Sequence, residues 1–254
     1  MDQHYFKEYY HLERVNWWFT VRRRILRDRI HHLLQSPKGI QSLNIGAATG
    51  TTSDMLTAFG EVMSVEYDHT CCAFTQTFLS TPIIQGSITD LPFNNNQYDL
   101  VCAFDVIEHV EDDAKAIDEM MRVCKPGGYL AITVPAYAFL WGEHDVINQH
   151  HRRYTKASLL KLLKPHKGKL IYHTYFNSLL FLPIAAFRLM ANLIQAIKGP
   201  KQAAPSSDHA IFGTAGFFNN LLAGIFSIDY YLLKWGVRFP AGVSIMVFFK
   251  KDAE

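Results

Sequence analysis

An apolar run that ends in glycines and leads straight into a helix start constrains this chain more than any other feature. Residues 41–50, QSLNIGAATG, read as a short strand closed by a turn that holds Gly46 and Gly50, and TTSDMLTAF then opens a helix. Such a turn lets backbone approach a ligand closely, and the helix N-terminus offers free N–H groups. The same alternation continues downstream. EVMSVEYD, IIQGS, QYDLVCAFDV and YLAITVPA read as strands, with helices over the stretch containing Cys71–Leu79 and over DDAKAIDEMMRVC, and a turn at KPGG. Strands alternating with helices predict a parallel sheet covered on both faces.

The turn reads Gly46-Ala47-Ala48-Thr49-Gly50, so the dinucleotide fingerprint G-x-G-x-x-G is absent. Without the glycine that hugs a pyrophosphate, the turn fits a nucleoside cofactor lacking phosphates better than a dinucleotide. Glu66 stands 20 residues after Gly46, at the end of the next strand. A carboxylate there suits the two hydroxyls of a ribose. A tight turn and a solvated strand end are the plain alternatives.

LNIGAATG, VEYD, GSITDLPF, YDLVCAFDVIEHV and KPGGYLAITVP stand in the order and spacing of a known family. Over residues 40–135 the chain resembles the class I S-adenosylmethionine-dependent methyltransferases, nearest the ubiquinone/menaquinone-biosynthesis-like (type 11) group. The resemblance implies a Rossmann-like α/β fold with a seven-stranded, mostly parallel sheet whose last strand is antiparallel. It implies S-adenosylmethionine as cofactor and S-adenosylhomocysteine as product. Asn44, Gly46, Ala47, Ala48 and Gly50 would face the methionine half, Glu66 with Tyr67 the ribose, and Ser87 and Ile88 the adenine. Phe104 and Asp105 would line the methyl-transfer face, although Phe104 equally suits the core, and Asp105 and Glu108 equally suit a helix start. Three positions depart from the family: Asn44 and Ser87 stand where acids are usual, and Ala48 where a glycine is. Asn44 and Ser87 keep hydrogen-bonding capacity but not the charge that attracts a sulfonium.

Residues 11–34 are expected to form one lid helix, with Trp18, Val21, Ile25, Leu26, Ile30 and Leu33 at helical spacing, ended by Pro37 and Gly39. The resemblance places such a helix over the cofactor, with Trp18 packing there and Arg22 pairing with a carboxylate; a solvated arginine is the alternative. Proton acceptors for the transfer are sought among His109, His144 and His150, with Asp105 beside them. A structural hydrogen bond is the other reading of His109. His151-Arg152-Arg153-Tyr154 could attract an acidic group or simply hold a salt bridge. Glu143, His144, Asp145, His150 and His151 are metal-ligand types, but their spacing matches no standard site, so no metal is expected.

The net charge is +2, yet residues 85–120 carry nine acids against one base and residues 140–169 seven bases against two acids. A balance this close to neutral argues against a dedicated nucleic-acid partner. Cys71, Cys72, Cys102 and Cys124 form no C-x-x-C pair, and the N-terminus lacks a secretory apolar run, so reduced thiols and a cytoplasmic setting are expected. A helix is expected over TKASLLKLLKP with Thr155 as N-cap, and a strand over KLIYHTYF. Hydrophobicity concentrates in residues 178–236, read as two helices, 178–198 and 217–236, joined by the flexible KGPKQAAPSSD, with VSIMVFFKK as the last strand. Each helix nears the roughly 20 residues of a membrane span. Pro183, Arg188, Asn219 and Asn220 oppose insertion. The chain is therefore read as one domain, 1–254, with a helical cap at 178–236. That cap would cover a small-molecule or lipid-linked acceptor, touch a membrane surface peripherally, or form a dimer interface. The function expected is methyl transfer to such an acceptor on oxygen; transfer to nitrogen or carbon, or a cofactor-binding regulator without turnover, are the alternatives.

Overall fold

The computed structural model describes residues 3–35, 38–198 and 216–253. Its strands are β1 (Ile40–Ile45), β2 (Gly60–Glu66), β3 (Ile83–Gln85), β4 (Tyr98–Phe104), β5 (Cys124–Pro135), β6 (Gly168–Phe176) and β7 (Ser244–Lys251). They form one sheet in the order β3–β2–β1–β4–β5–β7–β6. β1 to β5 pair in parallel, and β7 runs antiparallel to both β5 and β6. The expected fold class is the one observed. The chain leaves β1 toward one edge and returns at β4 beside it, so the crevice at the carboxyl ends of β1 and β4 is the topological switch point where ligands bind. KPGG, expected as a free turn, lies within β5, where Gly127 adopts φ +77°.

Helices α3 (Thr51–Leu56), α4 (His69–Gln76) and α5 (Asp113–Val123) connect the strands. One core lies between the sheet and α5, built on Leu43, Val101, Ile117, Met120, Ile132 and Val247. A second lies on the opposite face, where Leu26, Ile30, Leu56, Leu100, Phe176, Phe226 and Phe248 pack. All four cysteines are free and buried.

The N-terminal segment is two helices, α1 (Gln3–Val15) and α2 (Trp17–Leu33), instead of one. The break is at Asn16, whose backbone is extended and whose side chain caps the Trp18 N–H. Pro37 is outside the described residues, so its role as a stop is not addressed by the fold.

Between β5 and β6 lie the short α6 (Glu143–Ile147) and α7 (Lys156–Leu163), the latter capped by Thr155 as expected. Between β6 and β7 lie α8 (Phe181–Lys198) and α9 (Phe217–Lys234). The flexible linker expected over KGPKQAAPSSD lies outside the described residues except for Lys198, which ends α8. Along α9, Asn219, Phe226, Asp229 and Leu233 are buried. That spacing is one helical stripe, and it packs against α2. Trp18, Phe176 and Phe226 cluster as near-parallel rings, Trp18 5.7 Å from Phe176 and 5.4 Å from Phe226 and the two phenyl rings 6.3 Å apart, joining α2, β6 and α9. Stacked pairs of this kind contribute about 0.5–1.5 kcal/mol each beyond burial.

Asn219, Asp229 and Arg188, polar residues of the two late helices, have internal partners. Asn219 accepts from the Trp17 N–H at 2.8 Å and donates to the Val15 carbonyl at 3.2 Å. Asp229 accepts from the N–H groups of Ser178 and Leu179 ahead of α8. Arg188 turns inward, 4.0 Å from Asp145. No helix among the described residues is long and apolar enough to cross a membrane.

Candidate active site

The turn after β1 is built for close approach. Gly46 has φ +70°, and a side-chain carbon there would lie 2.5 Å from Val106 Cγ2; at Gly50, with φ +84°, it would lie 2.7 Å from Leu79 Cδ1. Only glycine suits both positions. Ala48 between them also has positive φ, +47°. Its N–H donates to Glu66 Oε2 at 2.9 Å, and Glu66 Oε1 takes the Asp68 N–H at 3.0 Å. The carboxylate at the end of β2 is thereby aimed across the turn, and burial pushes it above the usual carboxylate range. Asn44 donates its amide to Thr52 and Ser53, both at 2.9 Å. Its Oδ1 is buried without a hydrogen-bond partner.

A cavity of about 480 Å³ opens at this turn. It runs from Gly46, Ala48 and Thr52 past Phe104 and Asp105, and ends under the cap at Leu180, Pro183, Ile184, Phe187 and Leu222. Trp18, Arg22, His109, His144 and His150 stand on its wall. Asn44, Ala47, Gly50, Glu66, Tyr67, Ser87 and Ile88 do not line it. Tyr67 is largely exposed, Ile88 is in the core, and the Ser87 hydroxyl is 2.8 Å from that of Thr89. The structure thus divides the candidates into a cavity set and a set lying back from it, at β1 and its turn and at the ends of β2 and β3.

Arg22 is buried and lies 2.6 Å from Asp105. The lid helix and the end of β4 are therefore joined by an ion pair across the cavity. α1, only the end of which falls within the helix expected over 11–34, brings Glu13 to the same wall. Glu13 accepts from the Thr49 hydroxyl, and Arg14 reaches the Thr49 carbonyl. Burial raises the Glu13 carboxyl. This acid, missed in the sequence, places a carboxyl near the turn where Asn44 carries no charge.

The loop after β5 folds back onto the exit of β4. The His151 N–H donates to the Glu108 carbonyl at 2.7 Å, Tyr154 donates to Asp113 at 2.8 Å, and the Tyr137 N–H donates to the Tyr154 carbonyl. Asp145, fully buried, accepts from the Gly142 N–H at 2.8 Å and pairs with His150 at 2.7 Å and Arg153 at 2.8 Å. Against the opposing effect of burial, His150, Arg153 and the Gly142 N–H hold it well below the usual carboxylate range. Arg153 is thus in an ion pair. His109 donates from Nδ1 to the Asn148 carbonyl at 2.8 Å, and the rings of His109 and His150 meet edge to face at 4.5 Å. Burial lowers both His109 and His144 to about 4. Glu108, given in the sequence only a capping role, is fully buried at the cavity, and burial beside Asp105 raises its carboxyl strongly.

Residues 43–132 match the family described as a methyltransferase domain. A probable S-adenosylmethionine-dependent methyltransferase of Mycolicibacterium smegmatis is 29% identical over 157 residues, 60% of this chain and 60% of its own. A demethylmenaquinone methyltransferase of Bacillus licheniformis is 28% identical over 110 residues, 40% of this chain and 47% of its own. Over this stretch the chain is similar to the class I S-adenosylmethionine-dependent methyltransferases. Its match spans about 60% of the length of the mycobacterial relative. Among solved structures, a methyltransferase from Archaeoglobus fulgidus aligns at a TM-score of 0.56 with 14% identity, over 90% of this chain and 94% of that one. The cyclase SpnF aligns at 0.57 with 17% identity, over 91% and 81%. Identities this low show a shared fold and nothing about chemistry.

S-adenosylmethionine is the cofactor of this methyltransferase family, and the residues present fit it. Gly46 presents bare backbone to the cavity, Asn44 Oδ1 is an orphaned acceptor beside it, and the Glu66 carboxylate keeps accepting capacity beyond its backbone donors.

Proposed function

We propose that this protein transfers a methyl group from S-adenosylmethionine to an oxygen of a small, lipid-like acceptor. The observation that carries the reading is the single cavity joining the glycine turn to the apolar underside of the cap. The cofactor supplies a methyl group on a cationic sulfur. Gly46, Asn44 and Glu66 would hold it to offer that methyl to the acceptor oxygen, with the bonding pair left on sulfur and the acceptor's proton passed to a neighbouring base. Catalysis is then a matter of alignment and exclusion of water.

The chain's own residues divide that work. Gly46 and Asn44 receive the amino-acid half, Glu66 the ribose, and Tyr67, Ser87 and Ile88 flank the base. Glu13 and Asp105 place carboxylates near the sulfonium. Trp18 and the Arg22–Asp105 pair close the cavity from the lid side. Leu180, Ile184, Phe187 and Leu222 offer an apolar bed for the acceptor, and the neutral ring of His144 stands ready for its proton. The cap also exposes apolar side chains, including Leu182, Phe217 and Phe218. These support peripheral contact with a bilayer from which a lipid-linked acceptor could enter.

Calorimetry with S-adenosylmethionine and S-adenosylhomocysteine tests the cofactor half. Micromolar binding is expected, and Glu66→Ala should weaken it by about 1–3 kcal/mol through lost ribose hydrogen bonds. No binding at millimolar ligand would sink the proposal. Binding without methyl transfer to any extracted lipid or quinol-type acceptor would favour the regulator reading.

A further inference from the structure

We propose that Glu108, His109 and His150 form a divalent metal site in the cavity wall, suited to a borderline ion such as zinc. One ligand atom from each of the three lies within 4.8 Å of the others. Ligand distances near 2.0–2.2 Å imply ligand pairs roughly 3–4 Å apart, so side-chain adjustments of under about 1 Å close the group onto an ion.

Two further observations point the same way. The first is orientation from outside the group. His109 donates through Nδ1 to the Asn148 carbonyl, and His150 donates through Nδ1 to the Asp145 carboxylate. Both partners can only accept, so Nδ1 carries a proton on each ring and Nε2 is the nitrogen left to serve as a ligand. A ligating histidine is ordinarily held this way, its other nitrogen donating to a carboxylate or carbonyl. The second is Glu108. It is 0% exposed, and neither carboxylate oxygen has a hydrogen-bond partner. A buried carboxylate without a partner is costly, and coordination supplies the missing interaction.

Two imidazoles and one carboxylate suit zinc or a neighbouring transition ion better than magnesium or calcium. Three protein ligands leave a coordination position, and all three residues line the cavity. A water or an oxygen of a bound molecule would take that position. This departs from the expectation of no metal, which rested on spacing within residues 143–151. Two ligands come instead from the turn after β4, and the third from a loop folded onto it by the His151–Glu108 backbone bond. The site does not rest on methyl transfer.

The test uses the full chain, stripped with a chelator and titrated with Co²⁺ by visible absorption and with Zn²⁺ by calorimetry. The expected result is one ion per chain with ligand-field bands of nitrogen and oxygen coordination. Glu108→Gln, His109→Ala and His150→Ala should each weaken binding by more than about tenfold. His166→Ala, which lies against Asp118, should bind as the wild type does. Circular dichroism verifies folding, and if His150→Ala does not fold, His109→Ala and Glu108→Gln decide. No ion on the folded wild type at millimolar metal overturns the proposal. So does a folded His109→Ala or Glu108→Gln protein that binds as tightly as the wild type. Cofactor binding is titrated separately, so a chain that takes S-adenosylmethionine but no metal refutes this site alone.

Discussion

Ala48 shows how one side chain records both ligand and strain. It occupies a left-handed conformation, φ +47°, between two glycines that the turn requires. A side-chain carbon in that region costs about 1–2 kcal/mol. Ala48→Gly should therefore stabilise the protein by about 1 kcal/mol, which for a chain of this size is roughly 2–4 °C in Tm. A thermal melt that is unchanged or lower would show that the alanine is not strained. The departure from the family's glycine was legible in the sequence, but its backbone angle was not. Asn44 teaches the same lesson from the other side. The sequence shows the lost charge, and only the structure shows Glu13 arriving from another helix to stand nearby.

At the scale of elements, the corner between α1 and α2 depends on α9. The Trp17 N–H, in the first turn of α2, has no partner within its own helix, and Asn219 supplies one at 2.8 Å. Asn219→Ala should cost about 1–3 kcal/mol, because a buried donor is left unpaired. Chemical denaturation measures that loss, and hydrogen exchange at the Trp17 amide should accelerate. Protection equal to the wild type would mean that the corner is held by the aromatic stack of Trp18 alone. Hydrophobic periodicity predicted a single helix because Trp18, Val21 and Ile25 continue the pattern of the preceding turn. It could not register a cap whose partner is about two hundred residues away.

For the whole molecule, the two late helices are where composition and tertiary structure meet. Arg188, Asn219 and Asp229 are turned inward, toward Asp145, the α1–α2 corner and the start of α8. Leu182, Phe217 and Phe218 are 73%, 75% and 70% exposed. Apolar exposure on this scale, with no spanning helix among the described residues, is the basis for the proposed contact with a bilayer surface. Vesicle flotation should recover the wild-type chain with liposomes, more strongly when they contain anionic lipid, since residues 140–169 are basic. The triple substitution Leu182→Ser, Phe217→Ser, Phe218→Ser should lower the floated fraction severalfold while leaving cofactor affinity unchanged. A triple variant that floats as well as the wild type would remove the membrane reading and leave the cap as a cover for the acceptor.

The local sequence determined the sheet, the glycine turn, the position of Glu66 and the capped α7. These rest on interactions between neighbours: alternation along a strand, a turn that only glycine accommodates, a threonine three residues from the N–H it caps. The tertiary structure alone decided which distant residues share the cavity. Glu13, Arg22 and Asp105 meet because α1 and α2 fold across the end of β4. Glu108, His109 and His150 meet because the loop after β5 hydrogen-bonds back onto the β4 exit. Such encounters leave no period or spacing in the chain. They are set by the packing of elements whose order in space differs from their order in sequence.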